Sequence, residues 1–388
     1  MEPEPSWQAP DWQPDKAEAR THVLVIGVGD YPYLPDRAKK MLALSSLGAR
    51  LTTSVASTVH FVQWVLAPLR NDAAPLGSLD VLLSAPEGVT PGLPVPAREA
   101  TADGLRTAFR NWYRRCSQHH GNVAIFYYVG HGLTSHARQV ITAQEFGRDD
   151  LDLSPHAFDI KTTIDLMRDG CPARVQCYFI DACRPPSNVQ LDPHDFQPLL
   201  RAPQHNVSAP GAQFIAYSVY PGTSARGIEG QPTAFTRWLV RLLNGEGGTQ
   251  RNRCWEVTTE TLPAAIRRVA EYHALDATSD EAKFDVEVTT AARPGLIALG
   301  TKPQTVPLRL GLSPEDALAL GHLALREVGA STDDDQRGPA PEPWETRRSI
   351  GYHQFWARFA SPAFVDIEGE LFTVDSPMRC ETFEVASR

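Results

Sequence analysis

Five apolar runs, each continuous and separated from the next by longer segments, constrain the fold of this chain most strongly. Strands buried on both faces read in this way, and the pattern is typical of a parallel sheet covered by helices. Between the runs lie helical stretches such as 101–120, where Leu105, Phe109 and Trp112 share one stripe. We therefore predict a wound, mostly parallel sheet between two helical layers. The runs are HVLVIGV, LDVLLS, VAIFYYV, VQCYFID and QFIAYS.

Composition narrows the class of protein. The 388 residues carry a net charge of −9, which argues against nucleic acid as a main partner and suits basic peptide partners. No apolar run approaches the roughly 20 residues that span a bilayer, so we expect no membrane partner. The 6 cysteines form no CxxC pair, and the N-terminus lacks a signal-peptide layout. We expect free thiols, a cytoplasmic location, no cofactor and no metal.

The chain divides into three predicted parts. Residues 1–20, rich in proline and acidic residues, are predicted to be a flexible tail. Residues 21–300 hold the sheet, and their long loop 184–210 contains 6 prolines and no periodicity. Residues 301–388 form a small predicted α+β region. Its helix would start with Ser313 as N-cap and stop at Gly329, ahead of an acidic, proline-rich linker and a partly β end.

Two polar residues follow two of the apolar runs. His131 is the fifth residue of the sequence YYVGHG, and Cys183 ends YFIDAC about fifty residues later. The carboxyl ends of neighbouring parallel strands meet in one crevice, where the chemistry of such sheets gathers. A thiolate is the nucleophilic form of cysteine, and a neighbouring imidazole accepts its proton. We predict His131 as the general base and Cys183 as the nucleophile.

Glycine follows the histidine and suggests a site for an oxyanion. Gly132 lets the backbone approach a substrate closely, so its N–H and that of Cys183 are candidate oxyanion donors. Each half of the pattern has an ordinary structural interpretation. A lone Gly-His-Gly is more often a turn, and a lone cysteine after a strand is more often a packed thiol. Their combination, each after a matched strand, favours chemistry.

These motifs make the chain similar to the caspase-like clan of cysteine peptidases, which includes caspases, metacaspases and paracaspases. The resemblance covers about residues 21–300 and rests on HVLVIGVGDYPYL, YYVGHG, YFIDACR and AYSVYPGTSARG. It implies a caspase-like three-layer α/β/α sandwich with a mostly parallel six-stranded sheet. It also implies the roles given above for His131, Gly132 and Cys183. The strand that ends at Ser218 would line the substrate groove.

The residue two before the cysteine departs from the caspase pattern. Caspases that cut after aspartate have glutamine there, whereas this chain has Asp181, as in metacaspases and paracaspases. The resemblance implies that Asp181 receives a P1 arginine or lysine, and a carboxylate pairs a guanidinium through two charge-assisted bonds. Asp181 as a cap of local backbone groups is the alternative. Asp30, after the first strand, is a weaker candidate for a second acidic wall.

The sequence thus predicts a cysteine endopeptidase that cleaves protein or peptide substrates after Arg or Lys. The resemblance implies a regulated signalling or defence protease, an activating protein partner and cleavage within the loop 184–210, where Arg201 is a candidate site. Two other classes stay open. A non-catalytic caspase-like scaffold would need neither His131 nor Cys183 intact, and a flavodoxin-like binding domain explains the sheet but not the paired motifs.

Overall fold

The structure is a computed structural model. It describes residues 4–13, 18–34, 49–135, 138–149, 152–184, 196–201, 211–220, 228–251, 253–274, 284–289, 294–330 and 335–387. Most of the loop 184–210 and part of the segment AYSVYPGTSARG therefore lie outside the described residues.

The first three hundred residues alternate strands and helices. Single turns of 3-10 and π helix lie at Ser154–His156 and Leu242–Glu246. In chain order the elements are β1 (Trp7–Gln8), β2 (Thr21–Val28), α1 (Thr52–Leu66), β3 (Leu76–Ser84), α2 (Ala102–Cys116), β4 (Val123–Gly130), β5 (Gly132–Ser135), β6 (Arg138–Thr142), β7 (Ala157–Asp159), α3 (Ile160–Gly170), β8 (Val175–Ala182), β9 (Ala212–Tyr217), α4 (Ala234–Arg241), β10 (Thr249–Arg251), β11 (Cys254–Thr258), α5 (Thr261–Ala274), β12 (Asp285–Thr289) and β13 (Leu296–Leu299).

A seven-stranded sheet in the order β1-β3-β2-β4-β8-β9-β12 forms the centre of the molecule. Its five inner strands are parallel, and the edge strands β1 and β12 run antiparallel to their neighbours. The predicted caspase-like sandwich is confirmed, with one strand more than expected. Two-residue β1 comes from the segment predicted as a flexible tail, and so short a strand leaves no alternation in the sequence to detect.

Side chains of the inner strands alternate between two helical layers. Along β4, Phe126 and Tyr128 face the layer of α2 and α3, while Ile125 and Tyr127 face the layer of α1, α4 and α5. All four side chains are fully buried. Burial on both faces is why these runs carry no polar alternation in the sequence. Of the helices described, none combines the length and apolarity that a bilayer crossing requires.

The segment after the histidine differs from the prediction. The polar sequence of residues 133–155 predicts a loop, but β5 and β6 pair there as an antiparallel hairpin, and β7 adds a third strand. The four residues of β5 are too few to give a detectable pattern. This small sheet lies directly at the C-terminal end of β4 and therefore borders the predicted site.

The C-terminal region is a β structure rather than the predicted α+β region. The prediction of a helix after Ser313 is wrong, because a 3-10 turn at Glu315–Ala319 forms there, followed by a strand. Leu323 and Leu325 point inward with period two, and in a short apolar run this period and the helical one are hard to separate. The strands are β14 (Val306–Ser313), β15 (Gly321–Glu327), β16 (Asp335–Arg337), β17 (Trp344–Arg348), β18 (Gly351–Phe359), β19 (Ile367–Val374) and β20 (Arg379–Glu384).

The end of the chain is tied to the sheet-bearing part. Met378, just before β20, is buried in the core that α1, α4 and α5 form with the central sheet. The Ser376 hydroxyl donates to the carbonyl of Glu246 at 2.5 Å, and Arg268 of α5 donates to the carbonyl of Ser376. Residues 301–388 thus contact the fold that carries the predicted site.

A charged group of strand β3 lies inside the sandwich. Asp80 of β3 is fully buried and pairs with Arg115 of α2 and, at 2.8 Å, with Arg98. Burial raises the pKa of the Asp80 carboxyl, and the two arginines oppose that effect. A buried carboxylate that loses a partner keeps its desolvation cost without the compensating attraction.

We predict that Arg115→Ala lowers the free energy of unfolding by about 3 kcal/mol. Arg114→Ala on the same helix is the matched control, because Arg114 is exposed, and it should cost under about 0.5 kcal/mol. Urea unfolding of the two variants measures both values. Equal costs would show that the pair with Asp80 contributes nothing beyond helix propensity.

Candidate active site

The pairing of β4 with β8 places the predicted base and the predicted nucleophile at the same height along the two strands. The parallel register runs without a shift from Val123 opposite Val175 to Gly130 opposite Ala182. His131 and Cys183 are the next residues on the two strands. Adjacent strands lie about 4.8 Å apart. The two side chains therefore leave the sheet as neighbours at its C-terminal edge, where His131 is buried and Cys183 is half-buried.

Three hydroxyl groups hold the backbone on both sides of His131. Its N–H donates to the phenol oxygen of Tyr31 at 2.7 Å, and its carbonyl accepts from Tyr128 at 2.7 Å and from Thr142 at 3.1 Å. The Thr142 hydroxyl also lies 3.1 Å from the oxygen of Tyr31. Both peptide groups of the histidine are thus satisfied inside the protein, which fixes where the side chain starts.

Glycine before the histidine is required by this cluster. A Cβ on Gly130 would lie 2.7 Å from the phenol oxygen of Tyr128 and 2.8 Å from that of Tyr31. Such distances are shorter than van der Waals contact, so any side chain would displace the hydroxyls that hold His131. Steric crowding by the two phenol groups therefore explains why the first residue of Gly-His-Gly is glycine.

The second glycine meets the backbone of the cysteine. A Cβ on Gly132 would lie 2.6 Å from Nε2 of Gln139 and 2.8 Å from the carbonyl oxygen of Cys183. Gln139 is buried on β6 and donates to that same carbonyl at 3.3 Å. The Thr134 hydroxyl donates to the carbonyl of Arg184 at 3.1 Å. The β5–β6 hairpin therefore contacts the peptide groups that carry the cysteine.

Arg184, the residue after the cysteine, is buried with its charge compensated. Its guanidinium donates to Asp285 of β12 at 2.8 Å and lies 4.1 Å from the ring centre of Tyr217 on β9. The chain after Cys183 is therefore anchored on two further strands of the sheet, because a buried guanidinium without such partners would be costly.

The Asp181 side chain points toward the helical layer of α1, α4 and α5 and lies at the start of α4. Its carboxylate accepts hydrogen bonds from the hydroxyls of Thr233 and Thr236, the latter at 2.8 Å, and from Ser218. Burial raises the pKa of the Asp181 carboxyl, and the three hydroxyls oppose that effect. Thr233 is also the N-cap of α4. Among the described residues, the partners of this carboxylate are hydroxyls, two of them at the N-terminus of α4. This arrangement is compatible with Asp181 as the receptor of a P1 cation and with Asp181 as a local cap.

Ser218 and Asp30 occupy the same edge of the sheet. Ser218 is buried directly after β9, and its backbone N–H continues the β8–β9 ladder to the carbonyl of Ile180 at 3.0 Å. Asp30 is half-buried after β2 and forms an isolated bridge with Arg50. Because β4 lies between β2 and β8, Asp30 is two strands away from Asp181.

Several residues of the site escaped the sequence analysis. Tyr31 stands in the sequence analysis only within the segment HVLVIGVGDYPYL, and Thr142, Gln139 and Thr134 lie in the segment 133–155, which the sequence predicts to be a loop. The contacts of these residues are made between elements distant in the chain. The start of α4 can be recognised in the local sequence. Thr233 is a typical N-cap residue, and Thr236, three residues later, is the residue whose backbone N–H it accepts.

The fold is that of a caspase-like α/β sandwich. The chain belongs to the caspase domain family, whose model matches residues 20–274, and this family consists of cysteine peptidases. It is 27% identical over 220 residues to the uncharacterized protein y4kE of Sinorhizobium fredii, a match that covers 55% of this chain and 63% of that protein. The chain thus spans less than two thirds of this relative.

A solved structure was also compared with the chain. The crystal structure of caspase-1 from Spodoptera frugiperda aligns with a TM-score of 0.41 and 15% identity, over 78% of this chain and 99% of that one. The family assignment rests on the domain match, which covers the whole sheet except β1 and β12.

We predict that Gly132→Ala lowers kcat/KM by at least about 100-fold, because the added carbon displaces Gln139 or the cysteine peptide and misplaces the reacting groups. Gly338→Ala is the matched control, since a Cβ there meets nothing within 4 Å. Peptide hydrolysis, with far-ultraviolet circular dichroism to check folding, measures the effect. An active Gly132→Ala variant would contradict the close packing around this glycine.

Proposed function

We propose that the chain is a cysteine endopeptidase with His131 as base and Cys183 as nucleophile. The observation that supports this most directly is the unshifted β4–β8 register, which makes these two residues neighbours at the edge of the sheet. The clamped backbone of His131 supports it further, because general base catalysis needs a base held within reach of the proton it accepts.

The reaction follows from these positions. His131 accepts the thiol proton of Cys183, and the resulting thiolate attacks the scissile carbonyl carbon. The negative charge then develops on the carbonyl oxygen, which the N–H groups of Gly132 and Cys183 would stabilise. Imidazolium returns the proton to the leaving amine as the C–N bond breaks. Water, deprotonated by His131, next hydrolyses the thioester and restores the thiol.

Specificity for arginine or lysine at P1 is the second part of the proposal. Asp181 lies two residues before the nucleophile and is bonded by neutral hydroxyls, so a cationic side chain would supply the charge compensation that burial demands. Ser218, beside it on β9, would line the groove for the substrate. If Asp181 only anchors α4 through Thr233, P1 preference will not depend on it.

Regulation belongs to the proposal as well. Arg201 is exposed on the loop after the nucleophile, where an enzyme that cuts after arginine would reach it. An activating protein partner, a cytoplasmic location and a role in signalling or defence are what the family resemblance implies. Mass spectrometry of the purified chain before and after activity appears tests cleavage at Arg201, and a fully active, intact chain would contradict it.

Fluorogenic peptides with Arg, Lys or Asp at P1 test the activity. We expect the wild type to cleave after Arg and Lys, and Cys183→Ala and His131→Ala to lose activity by at least about 1,000-fold. Cys116→Ala is the matched control, because Cys116 is a buried thiol in helix α2, away from the edge. Absence of cleavage with any partner or after limited proteolysis would favour the non-catalytic scaffold.

We predict that Asp181→Asn raises KM for arginyl substrates about 10- to 100-fold, because it removes a charge-assisted pair. Asp159→Asn is the matched control, since Asp159 is also buried and caps α3 through Thr162. It should lower stability without altering P1 preference. Equal KM changes in the two variants would support the capping role of Asp181 instead.

The same carboxylate predicts a pH dependence. Only the ionised form of Asp181 pairs with a cation, and burial raises the pKa of its carboxyl. KM for an arginyl peptide should therefore rise as the pH falls, beginning above the ordinary carboxyl range near 4. Asp181→Asn should abolish this dependence. Kinetics at saturating and subsaturating substrate between pH 4 and 8 separate KM from kcat, and an identical slope in the variant would contradict the assignment.

A further inference from the structure

Tyr31 reaches the predicted base from a neighbouring strand. It follows β2, the strand next to β4, and its side chain is fully buried. The sequence around it, Gly29-Asp30-Tyr31-Pro32, reads as an ordinary turn. The proposed catalytic steps of His131, Gly132 and Cys183 give Tyr31 no role.

Two separate contacts join Tyr31 to His131. The phenol oxygen accepts the backbone N–H of His131 at 2.7 Å, and the rings lie 4.5 Å apart between centres with their planes 36° apart. The first contact fixes the main chain of the histidine, and the second limits the rotation of its imidazole.

The phenol is held in a fixed orientation by its own partners. Its oxygen lies 3.1 Å from the Thr142 hydroxyl, and a hydrogen bond links it to the phenol of Tyr128. Burial raises the pKa of the Tyr31 phenol well above its ordinary value, so the ring stays neutral. A neutral aromatic ring against an imidazole favours the imidazolium form through its electron-rich face.

We propose that Tyr31 is the positioning residue for His131: its hydroxyl fixes the histidine backbone, and its ring holds the imidazole toward Cys183 and favours the imidazolium. The proposal rests on the proposed function, since it assumes that His131 is the base. Other titratable groups at this edge are the phenol of Tyr128, the thiol of Cys183 and the carboxyls of Asp30 and Asp181, and all of them remain in the variants below.

Tyr31→Phe removes the hydroxyl and keeps the ring. We expect kcat to fall about 10- to 100-fold with KM changed less than about 3-fold, because a misplaced base slows chemistry rather than binding. Tyr178→Phe is the matched control: Tyr178 is also fully buried, in the same apolar core, and its hydroxyl donates to Gln176 at 3.0 Å. This control should lose stability but keep kcat.

Tyr31→Met removes the ring as well. The rate of alkylation of Cys183 by iodoacetamide, measured against pH, reports the thiolate–imidazolium pair without any peptide substrate. In the wild type and in Tyr31→Phe, the upper pKa of the pair should coincide. In Tyr31→Met it should fall by about 0.5 to 1 pH unit, because the imidazolium loses the aromatic face.

The outcomes separate this inference from the proposed function. If the wild type shows neither peptide cleavage nor alkylation that depends on His131, the proposed function fails. If the wild type shows both, but Tyr31→Phe keeps the kcat of the control Tyr178→Phe, the positioning role alone is overturned. The Tyr31→Phe result decides the role even if Tyr31→Met folds poorly, which thermal unfolding of all variants reveals.

Discussion

The unshifted pairing of β4 with β8 is the constraint on which the rest of the site depends. A slip by one residue would turn every side chain of one strand to the opposite helical layer. It would also separate His131 from Cys183 by a further 3.3 Å or so along the strand. The apolar residues that alternate between the two layers therefore do more than form a core. They fix the relative height of the two polar residues that follow them.

Hydroxyl groups, rather than charges, arrange the polar side chains at this edge. Tyr31, Tyr128 and Thr142 hold His131, while Thr233 and Thr236 hold Asp181. At His131 the hydroxyls bind the backbone N–H and carbonyl, so they fix where the side chain starts. At Asp181 they donate to the carboxylate and favour its ionised form against the effect of burial.

The sequence allowed the central fold and the two motif residues to be predicted, because long apolar runs and glycine-flanked polar residues are local signals. His131 and Cys183 were predicted in this way, and the β4–β8 register makes them neighbours. Tyr31 and Gln139 were missed, since their contacts join positions far apart in the chain. The C-terminal strands were misjudged for another reason. In the segment around Leu323 a helical and an alternating pattern coincide, and pairing with β16 and β18 decides between them.

Met378 has a consequence for how the molecule comes apart. Its side chain is buried in the core that α1, α4 and α5 form with the central sheet, although it lies directly before β20. Burial of a methionine contributes about 1.5 to 3 kcal/mol, and that stabilisation is shared by two regions far apart in sequence. Unfolding of the C-terminal strands would therefore remove one side chain from the core of the central sheet as well. The stabilities of the two regions are coupled through this contact.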